Sequence, residues 1–410
     1  MTEVYDAIVV GARVAGSPSA MRLAQRGYRV LLIDRAKFPS DTMSTLYLQE
    51  EAISALSRWG LLEAVVATGC PAIRSWRWGI EEFILDGFPW SPSGLERSYA
   101  PRRTALDPIL LEAAGRAGAE VRERVSFSDV VRDDSGRVIG IKAKTAEGTT
   151  FVEHARVVIG ADGMHSHVAT AVGATRYMDK PGLVCGYYAF WSGVPTSAME
   201  TYIKDGRMAL FVPTNDDLTL VWFGEHADRF HEFRSDIEGN YLRGLDAIGQ
   251  GERVRAGKRE DRFIGLAGMP TYFRQSHGDG WALVGDAAYH KDPITAQGIS
   301  DAFRFAELLA DAIHAGLSGE RPLADALADY QRRRDELAAP LAEWTYRQSA
   351  LNAPSSSVKA VLRALADRPD DLRRFMGLNA GTVSPSEFFT EANVMRLLSA
   401  KSSSRAKPKA

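Results

Sequence analysis

The chain has 410 residues, 45% of them apolar and 25% charged, which is the balance of a folded globular protein and excludes a disordered or fibrous one. Its 50 basic and 52 acidic side chains leave a net charge of −2, which gives no electrostatic footprint for nucleic acid or an anionic bilayer. No run of about 18 apolar residues is present to span a membrane, and the opening MTEVYDAIVVG lacks the basic stretch of a secretory leader. The only two cysteines, Cys70 and Cys185, are isolated, so a reducing, cytoplasmic setting is expected.

Residues 5–10 form a short apolar run suited to a strand buried on both faces. The glycine-bounded GARVAG (11–16) follows as a turn, then a short helix with Ala15, Ala20, Leu23 and Ala24 on one face, ended by Gly27. Residues 28–33 read as a second strand closing on Asp34, which completes a βαβ unit. Residues 72–90 read as two strands around a turn, and 104–118 as a helix. FSDVV, RVIGIKAKT and TFVEHARVVIG then form a β-meander split by the turns DDSG (133–136) and AEG (146–148). Residues 183–225 carry three further strand-like runs. WALV (281–284) is another buried strand, followed by a helix with Ile299, Phe303, Ala306, Leu309 and Ile313 at helical spacing and a charged helix after Pro322. PSSS (354–357) reads as a linker before a small helical tail, and the Ser/Lys/Arg/Pro-rich residues 401–410 as disordered.

Gly11 and Gly16 occupy the outer positions of G-x-G-x-x-G between a strand and a helix, with Val14 and Ala15 in the same turn. The helix start offers free N–H groups and a positive dipole end to a diphosphate. Asp34 follows Gly11 by 23 residues, close to the spacing of a carboxylate that binds a ribose hydroxyl. Arg13 replaces the middle glycine. It either obstructs close approach of a diphosphate or turns its guanidinium outward to pair with one, and the intact remainder of the unit favours the second.

Two further motifs join this fingerprint: GADGMHSHV (160–168) after the strand RVVI, and GDAAYHKDPITAQGIS (285–300) after the strand WALV. In their order and spacing the three resemble those of the group A, para-hydroxybenzoate-hydroxylase-like flavoprotein monooxygenases, over roughly residues 5 to 317. The resemblance implies an α/β protein. A Rossmann-like FAD-binding domain (mixed sheet plus β-meander) is formed by 1–70, 100–178 and 276–350. An inserted antiparallel-sheet substrate domain is formed by 71–99 and 179–275, with a helical extension over 351–400. It implies bound FAD. Asp34 and Arg35 would sit at the adenosine ribose, and Arg103, from the R-x-x-L pattern in PRRTALDPILL (101–111), at the ribityl or diphosphate portion. Asp162 would lie near the cofactor and the nicotinamide route, and Asp286, after Gly285, on the ribityl hydroxyls. Pro293, Gly298 and Ile299 would face the isoalloxazine, where a helix start stabilises an anionic reduced ring. The sequence departs from the family at Tyr289, where the usual His has moved to His290, and at Ala169, often Arg.

With no second dinucleotide fingerprint, NAD(P)H is expected as a transient co-substrate. The expected reaction hydroxylates or epoxidises a largely apolar, aromatic or polyketide-like molecule of secondary metabolism, using O2 through a flavin C4a-hydroperoxide in a monomer or homodimer. The pocket is expected between the flavin and the β-rich middle, with Tyr188, Trp191, Phe211 and Trp222 as wall candidates; plain sheet core is the competing role for these aromatics. His226, Tyr289 and His290 are the candidates for proton handling, in a reaction that needs little of it. WRWGI (76–80) resembles the W-x-W-x-I-P motif of flavin-dependent halogenases but has Glu81 in place of Pro, and strand alternation accounts for its spacing. His165 and His167 lack a third ligand, so no metal site is expected. The alternatives are a geranylgeranyl-reductase-like flavoprotein, although RMALFVPTND (207–216) lacks the first Tyr and Trp of that branch, and a non-redox protein that binds or cyclises its ligand.

Overall fold

A computed structural model describes residues 4–399; the expected disordered tail 401–410 lies outside them. The chain forms two compact units. One comprises the chain up to Cys70, Ala100–Pro181 and Pro270–Ala339; the other comprises Pro71–Tyr99, Gly182–Met269 and the chain from Pro340.

The first unit is built on β1 (Tyr5–Val10), α1 (Gly16–Ala24) and β2 (Val30–Asp34). Both strands are continuous apolar runs because both faces of the sheet are covered, and β2 is buried throughout. Parallel pairing places Thr150–Gly160 on one side of β1 and β2 on the other, with Trp281–Leu283 beyond Thr150–Gly160 and Glu120–Glu123 beyond β2. Val10 pairs with both Ile33 and Gly160, and Gly160 with Leu283, so four strands end along one edge. The expected meander is present as Val125–Arg132, Val138–Thr145 and Thr150–Gly160. A three-stranded sheet of Arg176–Lys180, Thr271–Arg274 and Tyr289–His290 was not legible in sequence. Its strands are too short to show a period, and Tyr289–His290 reads as turn.

In the second unit the sheet runs Lys258–Arg259, Val184–Ser192, Thr219–His226, Arg207–Pro213, Met199–Lys204, Trp76–Ile80, Phe83–Gly87. The expected all-antiparallel sheet needs one correction, because Met199–Lys204 pairs parallel with Trp76–Ile80. Those strands come from separate segments, and a junction between segments is not bound by hairpin geometry. The helices Phe230–Ser235 and Ile237–Ala247 cover one face of this sheet. The helices expected as a separate extension also group with this unit: Phe375 packs edge-on to Trp78 at 5.7 Å, and Trp90 N–H donates to the Arg373 carbonyl at 2.8 Å. Ser355, in the expected linker, caps the helix Ser356–Leu365 by accepting from Val358 N–H.

Candidate cofactor and active site

The three glycine-containing turns meet at the shared strand edge of the first unit. Gly11 has φ +101°, and a Cβ there would lie 2.4 Å from the Ala161 carbonyl oxygen. A Cβ on Gly16 would lie 1.7 Å from the Gly11 oxygen, and one on Gly285 2.7 Å from Ala15 Cβ. These glycines let backbone touch backbone, so the fingerprint, the DG turn and the GD turn form one surface. Main-chain bonds lock it: Gly11 N–H to Ile33, Ala161 N–H to Val10 and Val284 N–H to Gly160.

Asp34 accepts from Ala12 N–H and Ala36 N–H, both at 2.7 Å, one on each carboxylate oxygen. Each oxygen keeps a lone pair for a hydroxyl donor. Arg35 beside it is exposed. The Arg13 guanidinium is held by groups of the same unit. It donates to Asp107 at 2.6 Å and to the Ser40 carbonyl and hydroxyl at 3.1 and 3.0 Å. Arg103 grips the same fully buried Asp107 through two bonds of 2.8 and 3.1 Å, one helical turn away. Two guanidiniums on one carboxylate leave a net positive charge beside the fingerprint. Asp107 was missed in the sequence, although its i,i+4 spacing from Arg103 was a usable signal.

The Asp162 carboxylate accepts from Ser166 Oγ at 2.5 Å and from His167 and Val168 N–H at 2.7 and 3.1 Å, holding the start of the helix His167–Ala171. Asp286 is the opposite case. It is exposed and accepts no side-chain hydrogen bond from the described residues.

The loop after it is unusual. Asp292 is buried; one carboxylate oxygen accepts from Ile294 N–H at 3.0 Å, and the other has no partner among the described residues. Burial pushes this carboxyl up to about 7. Buried Lys291 pairs with Asp301 in the first turn of the helix Gly298–Leu317, and burial pulls its ammonium down. Pro293 is half-buried, Ile299 buried and Gly298 exposed, and a Cβ on Gly298 would meet only open space. A bare helix start beside an exposed, unpartnered aspartate fits the dipole and hydroxyl demands of a flavin.

The candidate proton handlers separate. Tyr289 lies 4.7 Å from the Phe273 ring and 6.0 Å from that of Phe305, its hydroxyl is buried and unpartnered, and burial drives its acidity well out of the neutral range. It is unsuited to that role. His290 Nδ1 lies 2.6 Å from the Pro270 carbonyl, which fixes the proton on Nδ1. His226 ends a strand of the second unit and is half-buried. The substrate candidates also divide. Trp191 and Phe211 belong to the core beneath the helices, with Trp191 stacked on Tyr241 at 6.2 Å, so their assignment as pocket wall is corrected to core. Tyr188 and Trp222 pair across strands on the opposite face, and the same register row continues through Leu210 and Thr201 to Trp78. The Trp222 ring lies flat over Gly186 and Gly224, where a Cβ would come within 2.8 and 2.4 Å of it.

A βαβ unit whose turns meet at one strand edge is the framework on which dinucleotides are bound, and comparison with known proteins gives the family. Residues 4–345 match the FAD binding domain family, and the chain belongs to it. It is 27% identical over 338 residues to the tryptophan 2-halogenase of Chondromyces crocatus, a match covering 79% of this chain and 64% of that protein. It is 25% identical over 352 residues to digeranylgeranylglycerophospholipid reductase 1 of Methanopyrus kandleri, covering 81% and 86%. Among solved structures, pqsL, a probable FAD-dependent monooxygenase from Pseudomonas aeruginosa, superposes with a TM-score of 0.70 at 22% identity over 92% of this chain and 99% of that one. The protein is therefore a flavoprotein of the FAD-dependent oxidoreductase class. Among the described residues, no helix is long and apolar enough to cross a membrane.

Proposed function

We propose that the protein is a monooxygenase that takes electrons from NAD(P)H and hydroxylates or epoxidises a largely apolar small molecule, aromatic or polyketide-like. In this reading FAD is held by the fingerprint turn, Asp34, the Arg103–Asp107 pair, and the GD turn with Asp286, Pro293, Gly298 and Ile299. The flavin supplies reduction by the nicotinamide and activation of O2. The chain's own part is to bind and orient it, to exclude water, and to present the aromatic row Tyr188–Trp222 to an apolar substrate.

One observation favours oxygenation over halogenation. Glu81, in the place of the halogenase proline, has φ +50° in the turn between Trp76–Ile80 and Phe83–Gly87. A proline ring fixes φ near −65°, so this backbone cannot carry that motif. Trp76 and Trp78 are buried sheet residues, with Arg77 on the outer face paired to Asp86 at 2.7 Å. A second reading, reduction of isolated double bonds, is favoured by the relation to the Methanopyrus reductase over most of both chains.

The test is NAD(P)H oxidation and O2 uptake by the flavin-loaded protein with a panel of phenols and polyketides, with and without bromide or chloride. Substrate-stimulated O2 consumption yielding a product 16 mass units heavier, independent of halide, is expected. A halogenated product, or substrate reduction under nitrogen, overturns the reading.

A further inference from the structure

Three successive carbonyls of the GD turn are each held from behind by a different side chain. The hydroxyl of Tyr272 donates to the Asp286 carbonyl at 2.6 Å, Arg274 Nη1 to Ala287 at 2.7 Å and Arg334 Nη1 to Ala288 at 3.0 Å. Gly285–Ala287 is a single 3-10 turn, so the Asp286 and Ala287 carbonyls at its C-terminal end have no partner within it, while the Ala288 carbonyl also accepts from Arg274 N–H at 2.9 Å. Water commonly satisfies such groups. Here Tyr272 and Arg334 are fully buried and Arg274 nearly so.

Arg334 comes from the long helix Leu323–Ser349, where it also donates to the Arg274 carbonyl at 3.2 Å and to Tyr177 Oη at 2.7 Å. Asp335 balances its charge. Arg274 has no carboxylate within ion-pair distance among the described residues, and burial lowers its affinity for its proton. A cation placed there without a counter-ion is costly unless its donors are taken up by strong acceptors, and the Ala287 carbonyl is one. Tyr272 has a second neighbour, the Met164 carbonyl of the DG turn at 3.3 Å, and the Arg176 and Arg274 guanidiniums lie 4.0 and 5.1 Å from its ring. The hydroxyl thus sits between the two aspartate-bearing turns, its single proton given to the Asp286 carbonyl and shared at longer range with that of Met164.

We propose that Tyr272, Arg274 and Arg334 are positioning residues for the flavin end of the cofactor, fixing the GD turn and tying it to the DG turn so that Asp286 is presented in one orientation. This rests on the assignment of the GD turn to FAD. Among the described residues none of the three side chains hydrogen-bonds to the fingerprint turn or to Asp34, so their effect is expected on the half of FAD beyond the adenine nucleotide.

The test uses protein stripped of flavin. FAD affinity is measured by quenching of flavin fluorescence, and ADP affinity, which reports the fingerprint and Asp34 alone, by calorimetry. Tyr272→Phe, which keeps the ring, is expected to weaken FAD about tenfold and leave ADP within twofold. Arg274→Met is expected to do the same, with Arg274→Lys recovering most of the loss through its retained donor. Unchanged FAD affinity in both Tyr272→Phe and Arg274→Met overturns the clamp, as does a parallel loss of ADP, which signals general disorder. Asp286→Asn serves as the companion variant. If it weakens FAD while Tyr272→Phe does not, the clamp alone fails; if it leaves FAD intact, the GD assignment fails and the clamp with it.

Discussion

The turn after β1 and the turn after Trp281–Leu283 lie along the same sheet edge and use their polar groups in opposite ways. In the first, Ala12 N–H is taken by Asp34 and the one charged side chain, Arg13, by Asp107. In the second, Asp286 is exposed, Asp292 keeps an unpartnered buried oxygen, and the Asp286 and Ala287 carbonyls are held from the rear. A turn closed on itself contributes rigidity and a fixed shape. A turn with polar groups unmatched by its own chain loses stability in the flavin-free protein, and such sites are where ligands and reactions are accommodated.

The contrast breaks most severely at Asp107. Asp107→Ala leaves two guanidiniums facing each other in a buried site and should cost about 3–5 kcal/mol of stability, read by urea unfolding of the flavin-free protein. The opposite sign is expected in the other turn. The Asp292 carboxyl is raised from 3.8 to about 7 on folding, so the native state holds a proton that the unfolded chain has lost. Stability from this group is present in full below pH 3.8 and is lost as pH rises towards 7. Asp292→Asn should therefore stabilise the flavin-free protein, by up to about 4 kcal/mol above pH 7 and by progressively less towards pH 4. Equal unfolding midpoints of the two proteins at pH 8 would refute this. Gly16→Ala drives a Cβ into the Gly11 carbonyl and should cost about 3 kcal/mol, together with FAD binding. The smallest effect falls on the open turn: Asp286→Ala should weaken FAD about 10- to 100-fold in a fluorescence titration while leaving the unfolding midpoint of the flavin-free protein near wild type.

Much of the first unit was legible because its signals are local. The apolar run Tyr5–Val10, the glycines of the turn and the aspartate closing β2 are fixed by the demands of a buried parallel strand and a tight turn. The DG and GD motifs were legible for the same reason. The side-chain partners were not. Arg13 and Asp107 are 94 residues apart, and Tyr272 and Met164 are 108 apart. The substrate aromatics show the limit within one strand. Alternation separates Tyr188 from Trp191, but which face lies under helices depends on residues 230–247, whose helical character was not read.

By itself the sequence determined the βαβ unit, the three turns and their order, because each is dictated by backbone geometry over a few residues. Only the tertiary structure decided that Arg13 shares Asp107 with Arg103, that Asp162 holds its own helix, that Trp191 and Phe211 are core, and that three buried donors stand behind the GD turn. The physical reason is that hydrogen bonds and ion pairs act over about 3 Å, and which groups come that close across a hundred residues is settled only when the sheets and helices pack.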